Sequence, residues 1–270
     1  MSGNSKKMRI GIIGCGNMGS SFAKLLSSTH HLYLCDRNPE KVKKVAAEVG
    51  AAVANSCSEL VKQVDMIILA IKPQDLGSVA SEIRDKLNHS QMLVSILAGT
   101  PTTTLKHYFG KVTLLRMMPN LALRYGEGVI GMSEHEHLPS DTKKQIESVF
   151  MPFGMLLWLP EDKMDALTAL TASGPAYVFV IIESIVDAAI AMGFPPDKAL
   201  PLVLQMLTGS IKMLHETGKH PAELKWQVLS PGGNTIEGLK RMEQEGVRSG
   251  IIHTFIAAHE RAKQIAAKHQ

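Results

Sequence analysis

Short apolar runs punctuate the first half of the chain: MRIGII (8–13), HLYLC (31–35), DMIILAI (65–71), QMLVSIL (91–97) and KVTLLRMM (111–118). Between them, stretches such as 17–28 and 39–49 mix apolar and polar residues as helices do. Strands that are apolar on both faces and alternate with helices predict a parallel sheet covered on both sides. A further run at EGVIGM (127–132), a helix near 140–151 and MLLWL (155–159) extend that unit. From about Asp162 the β character stops. Residues 177–192 are apolar all round, as a buried helix would be. Either the chain's own helices or those of a second subunit cover it, and the pattern leaves both open. Pro195 and Pro196 open a helix reaching about His215, Pro221 starts a short one, and 236–245 and 249–268 complete the set.

The predicted fold is α/β: an N-terminal Rossmann-type doubly wound sheet over 1–163, followed by an all-helical domain over 164–270. With 270 residues and 45% hydrophobic content, the chain can fill one large core or two ordinary ones. The formal net charge of +4 is spread along the sequence without a dense Lys/Arg block. Electrostatics therefore gives no support to a nucleic-acid or membrane-surface partner. The three cysteines, Cys15, Cys35 and Cys57, match no zinc spacing, and an odd number closes no disulfide framework. Free thiols fit a reducing compartment. The opening MSGNSKKMRI lacks the apolar core of a signal peptide, and no apolar run reaches the roughly 18 residues of a membrane span. The expectation is a soluble cytoplasmic protein.

Chemistry enters with GIIGCGNMGSS. Gly14, Gly16 and Gly19 form G-x-G-x-x-G between a predicted strand and a predicted helix, the context of a dinucleotide-binding turn. Glycines there allow the tight turn and close approach of a pyrophosphate, and the helix N-terminus supplies free N–H groups. Ile13, Gly14, Cys15, Gly16, Asn17, Met18 and Gly19 are the expected cofactor contacts. The next strand ends in Asp36-Arg37. An acid at this point bonds the adenosine ribose of NAD, whereas an arginine receives the extra phosphate of NADP. Both are present, so the residues alone leave NADPH and NADH open. Ala70, Ile71, Lys72 and Pro73, and then Leu97 and Ala98, follow later strands at their carboxyl ends, where open α/β sheets bind ligands. SEHEH (133–137) carries two histidines but no third ligand at a suitable spacing, and reads as a solvated loop.

In the helical half, SPGGNTIEG (230–238) breaks one helix and opens another. Gly232 and Gly233 allow backbone N–H groups to converge on an anion, the following helix points its dipole at the same spot, and Ser230, Asn234 and Thr235 add donors. A small carboxylate fits such a site. The alternative is an ordinary helix start capped by Asn234 or Thr235.

Taken in order, Met118-Pro119-Asn120, LTALTASGPAYVF (167–179) and LKWQVLSPGGNTIEGL (224–239), behind a dinucleotide fold, resemble pyrroline-5-carboxylate reductase along essentially the whole chain. The resemblance implies NAD(P)H-dependent reduction of the cyclic imine of 1-pyrroline-5-carboxylate to L-proline, with NADPH as the usual cofactor and NADH as the other. It implies that the Thr235 hydroxyl bonds the ring nitrogen and that Ser230, Gly233 and Asn234 grip the carboxylate. It further implies that Glu161 touches substrate, that Asn120 touches cofactor, and that the helical domain dimerises, often into rings of dimers. Two positions depart from the family pattern. Ala172 stands where glycine is common, and Asp36 stands where Ser or Asn usually precedes the arginine. Alternative readings are a related imine reductase, a β-hydroxyacid dehydrogenase, or a dinucleotide-binding regulator without turnover. The dehydrogenase usually relies on a lysine early in its interdomain helix, and 177–192 has none.

Overall fold

The computed structural model describes residues 7–110, 112–134 and 138–267. His135 and His137 of the SEHEH stretch lie outside them. The chain forms two compact units, Met1–Ala172 with Ala258–Gln270, and Ser173–Ala257.

The first unit is built on strands β1 (Arg9–Ile13), β2 (His31–Cys35), β3 (Ala52–Val53), β4 (Met66–Leu69), β5 (Met92–Ser95), β6 (Thr113–Pro119), β7 (Gly128–Ser133) and β8 (Gly154–Leu159). They form one sheet in the order β3-β2-β1-β4-β5-β6-β7-β8. All neighbours are parallel except β6 and β7, which pair antiparallel from Met117 opposite Met132. Helices α1 (Asn17–Leu26), α2 (Pro39–Val49), α3 (Cys57–Val61), α4 (Leu76–Ile83), α5 (Thr102–Phe109), α6 (Ser140–Phe150) and α7 (Met164–Leu167) connect and follow the strands.

The apolar runs become strands because alternate residues feed two cores. Ile10 and Ile12, Met66 and Ile68, and Met92 and Val94 pack on one face against α1, α2 and α6. Ile13, Ile67, Leu69 and Leu93 pack on the other against α3, α4 and α5. This period-two division, with helices on both faces, makes the sheet doubly wound. Phe22 of α1 is fully buried and meets Phe150 of α6 edge to face, with ring centroids 6.0 Å apart.

A π-helical turn at Thr168–Ala172 ends the first unit. The second contains α8 (Gly174–Ala191), α9 (Pro196–Thr217), α10 (Pro221–Gln227), α11 (Asn234–Gln244) and most of α12 (Val247–Ala267). Helices α8 and α9 share a small core of Ala189, Ala199 and Val203, and Tyr177 packs edge to face on Phe255 at 5.1 Å. Elsewhere α8 is not buried by its own chain. Phe179, Val180 and Ile190 are exposed, as are Leu202, Met206 and Ile211 of α9. The all-round apolar pattern of 177–192 therefore is not explained by packing within one chain.

Phe22→Ala is expected to remove about 3–5 kcal/mol from the stability of the first unit by leaving a cavity beside Phe150. Urea denaturation of the variant and the parent measures it.

Candidate active site

At the end of β1 the backbone turns sharply into α1. Gly14 has φ +100°, and a Cβ there would lie 2.5 Å from the Ala70 carbonyl oxygen. A Cβ on Gly19 would lie 1.8 Å from the Gly14 carbonyl oxygen. No atom comes within 4 Å of a Cβ built on Gly16, so the space in front of that residue is open. Gly16 is also the N-cap of α1 and has no side chain to cap it. The first-turn N–H groups therefore face open space with the positive end of the helix dipole behind them. This is a cradle for a phosphate.

The tip of β2 is fastened to this turn. One Asp36 carboxylate oxygen accepts the Cys15 backbone N–H at 2.6 Å, and the other accepts that of Asn38 at 2.9 Å. Asn38 in turn caps α2 through the N–H groups of Glu40 and Lys41, with Pro39 at the first helical position. Arg37 donates to Asp75 at 2.9 Å, an ion pair whose arginine side is exposed. Between these elements runs a cleft of about 600 Å³. Of the residues expected at a cofactor, Ile13, Gly14, Gly16, Asp36, Arg37, Ala70, Ile71 and Lys72 line it.

Other expected residues take different places. Cys15 is buried behind the turn, Met18 packs partly on the core beneath α1, and Asn17 is exposed. Pro73 begins a short 3-10 turn after β4. Leu97 is buried and Ala98 exposed after β5. Asn120 is buried, with its amide donating to the Thr171 carbonyl at 3.0 Å and accepting the Val129 N–H at 3.1 Å. It ties the end of β6 to β7 and to the π turn. Ala172 lies in that turn, and no described non-glycine residue has a positive φ, so alanine meets no backbone strain there.

Glu161 sits in the 3-10 turn after β8. Its carboxylate accepts the Arg116 guanidinium at 2.8 Å, the Thr102 N–H at 3.2 Å and the Thr102 hydroxyl at 2.7 Å. Asp165 takes a second Arg116 nitrogen at 3.0 Å. Arg116 is only 2% exposed, and these two acids compensate its burial.

Some residues of the cleft were missed in the sequence: Asn55, Ser56, Asp75 and Ser78. A signal for the first two existed. Ser56 caps α3 by accepting the Glu59 N–H, and the Glu59 carboxylate accepts the Asn55 N–H, close to the S-x-x-E capping box.

In the second unit, Gly232 has φ +68°, and the Gly233 N–H donates to the Ser230 carbonyl at 3.0 Å, closing a turn. A Cβ on Gly233 would lie 2.1 Å from the Ser230 Oγ. Gly233 is the N-cap of α11 and has no side-chain capping bond. The helix therefore starts at Asn234, and neither Asn234 nor Thr235 serves as the cap. Ser230, Asn234 and Thr235 are exposed around the uncapped first turn.

A family model described as pyrroline-5-carboxylate reductase dimerisation matches residues 161–265, and one described as NADP oxidoreductase, coenzyme F420-dependent, matches residues 9–99. Pyrroline-5-carboxylate reductase of Methanosarcina acetivorans is 34% identical over 270 residues, covering 97% of this chain and 100% of the relative. The chain belongs to the pyrroline-5-carboxylate reductase family. The Arabidopsis thaliana reductase is 32% identical, with 97% of each chain covered. Among solved structures, the Streptococcus pyogenes reductase superposes with a TM-score of 0.87 at 30% identity, covering 97% of this chain and 100% of that one. The Plasmodium falciparum enzyme, solved with NADP bound, gives 0.84 at 28% identity over 96% and 98% of the two chains. Pyrroline-5-carboxylate reductases are NAD(P)-dependent oxidoreductases acting on a C=N bond, and a dimerisation domain accounts for the apolar surface of α8 and α9 through self-association.

A phosphate at the tip of β2 would compete with Asp75 for Arg37. Asp75→Asn is therefore expected to lower the KM for NADPH a few-fold and to change that for NADH less, in keeping with about 0.2–1 kcal/mol for an exposed ion pair. Initial rates with each cofactor measure the difference.

Proposed function

We propose that this chain reduces 1-pyrroline-5-carboxylate to L-proline, the last step of proline biosynthesis, with cofactor and substrate held by separate uncapped helix starts. The observation that carries the division is the Ser230–Thr235 turn. It has the left-handed glycine, the uncapped first turn and the exposed hydroxyls that a small carboxylate-bearing ring requires, within a chain similar to these reductases from end to end.

The residues of the first cleft fit a dinucleotide. Side chains at Gly14 and Gly19 would collide with the backbone of the turn and of Ala70 and so prevent the turn from forming, while the open space at Gly16 and the uncapped N-terminus of α1 suit its pyrophosphate. Bound NAD(P)H supplies the hydride that the imine carbon receives. Ser230 and the Asn234 backbone N–H grip the substrate carboxylate, while the Gly233 N–H, expected there from the sequence, is turned back on the Ser230 carbonyl and shapes the loop instead. Charge-assisted bonds to a carboxylate contribute about 1.5–3 kcal/mol each. The Thr235 hydroxyl bonds the ring nitrogen and orients it as it becomes an amine. Most of the acceleration then comes from holding the two reactants together. Glu161, held by Arg116 and Thr102, acts by fixing the segment between β8 and α7, and a direct substrate contact would use its remaining lone pairs. Asn120 positions the π turn by its two hydrogen bonds.

NADPH is the proposed cofactor, with NADH as the second. Asp36 is already engaged by two backbone N–H groups, whereas Arg37 is held by one ion pair to Asp75, exposed on the arginine side, that a phosphate can displace. Further assembly into a ring of dimers is proposed from the family. Contrary to the expectation from the sequence, residues Glu161–Ala191 are long and apolar enough to cross a membrane by length and composition, because the helical turns before Gly174 run on into α8. They open the span matched by the dimerisation model, and this favours a subunit interface in a cytoplasmic enzyme with neither membrane nor nucleic acid as partner.

The direct test is proline formation from pyrroline-5-carboxylate with NADPH and NADH in parallel. No proline with either would remove the proposal. Thr235→Ala is expected to lower kcat while leaving NAD(P)H affinity nearly unchanged, and an unaltered kcat would take Thr235 out of the mechanism. Arg37→Ala is expected to raise the KM for NADPH more than that for NADH, and equal effects would deny it a phosphate-reading role.

A further inference from the structure

Two of the three cysteines touch. Cys35, the last residue of β2, and Cys57, the first of α3, have sulfurs 3.3 Å apart although 22 residues separate them. Both belong to the core on the α3 side of the sheet, and both line the cleft that holds the turn glycines and Arg37. They are 5% and 8% exposed. Cys15 packs in the core on the opposite face.

We propose that Cys35 and Cys57 form a reversible disulfide in the wall of this cleft, with a hydroperoxide as oxidant, and that the bond and the nucleotide cofactor oppose each other. The second half rests on reading the cleft as the cofactor site.

The geometry asks for little movement. A disulfide holds its sulfurs about 2.05 Å apart, so just over one ångström must be closed, shared between two side chains. The two sulfurs are also differentiated. They share a hydrogen bond that either can donate. It holds the Cys35 thiol below its ordinary range, and the same bond, with burial, pushes the Cys57 thiol up. The thiolate is the nucleophile, and Cys35 takes that part in the proposed sequence of steps; exchanging the two roles yields the same bond. Cys15 is a built-in contrast, because burial raises its thiol to about 12.

The steps balance. The Cys35 thiolate attacks one peroxide oxygen and the O–O bond breaks. The leaving oxygen takes the proton that the thiol gave up, and Cys35 becomes a sulfenic acid. The Cys57 sulfur then attacks the Cys35 sulfur. The S–O bond breaks, the S–S bond forms, and hydroxide departs with the Cys57 proton as water. Two thiols lose two electrons and two protons, and hydrogen peroxide becomes two waters. A dithiol reverses the reaction by thiol–disulfide exchange and is itself oxidised.

Closure acts on the cleft because of where α3 begins. Drawing Cys57 toward β2 carries along Ser56, its N-cap, and Asn55, and both wall the cleft. The space beside Asp36 and Arg37 narrows. Binding linkage is reciprocal, so a bond that weakens the cofactor is itself disfavoured when the cofactor is present.

The test treats the whole enzyme with hydrogen peroxide, with and without NADPH, and maps peptides by mass spectrometry. The expected result is one intramolecular link joining the Cys35 and Cys57 peptides with loss of two hydrogens. It should form more slowly with NADPH, accompany a several-fold rise in the KM for NADPH, and be reversed by dithiothreitol. Cys57→Ser, compared with itself before and after peroxide, should show no such rise, and Cys57→Ala serves if the serine variant does not fold. Absence of the link, a link through Cys15 or between chains, an unchanged KM in the oxidised enzyme, or the same rise in the Cys57 variants would each overturn the proposal. If the untreated enzyme has no NADPH turnover, the cofactor reading fails and takes the opposition with it, while the peptide map still decides whether the bond forms.

Discussion

The structure of the first unit depends on how closely one turn of backbone approaches another. Gly14, Gly19 and the Ala70 carbonyl meet with no room for a β-carbon between them. An L-residue in the left-handed conformation of Gly14 would add about 1–2 kcal/mol of intrinsic strain, apart from any collision. Because α1 can sit down on β1 and β4 here, its N-terminus arrives at the carboxyl edge of the sheet rather than above it. Asp36 then locks the neighbouring strand tip to the same turn by accepting the Cys15 N–H. The anion cradle and the adenosine end of the cleft follow from this single packing event.

The sheet was readable from the sequence because its central strands are apolar on both faces and the connecting helices are amphipathic. Strand β3 was not, being two exposed residues that pair with β2. The five-residue α3 was equally hard to see, since so short a segment shows no period, although Ser56 and Glu59 marked its start. The antiparallel pairing of β6 with β7 also had no signature. Apolar runs show that a strand is buried, and its direction is decided by the short turn that follows Pro119.

The glycine turns and the loop around Gly232 were legible because backbone requirements act on residue type at fixed spacing. The partners of polar side chains were not. Nothing near Asp36 in the chain indicates that its two oxygens are taken by Cys15 and Asn38, and nothing near Glu161 points to Arg116, 45 residues away. Buried charge finds its partner through the fold, and sequence distance carries no trace of it. The same holds for Asn120, whose amide fits the gap between β7 and the π turn. It also holds for Ala172, whose departure from the family pattern costs nothing once its backbone is helical.

The uncovered side chains of α8 and α9 have one more consequence. Phe179, Leu202 and Met206 stay in contact with water in the single chain, so to the extent that self-association covers them, part of the free energy of folding is supplied by association. Mass action then enters the melting behaviour. On dilution the helical unit sheds its apolar cover and the midpoint of thermal unfolding falls, so a single Tm describes the solution rather than the molecule.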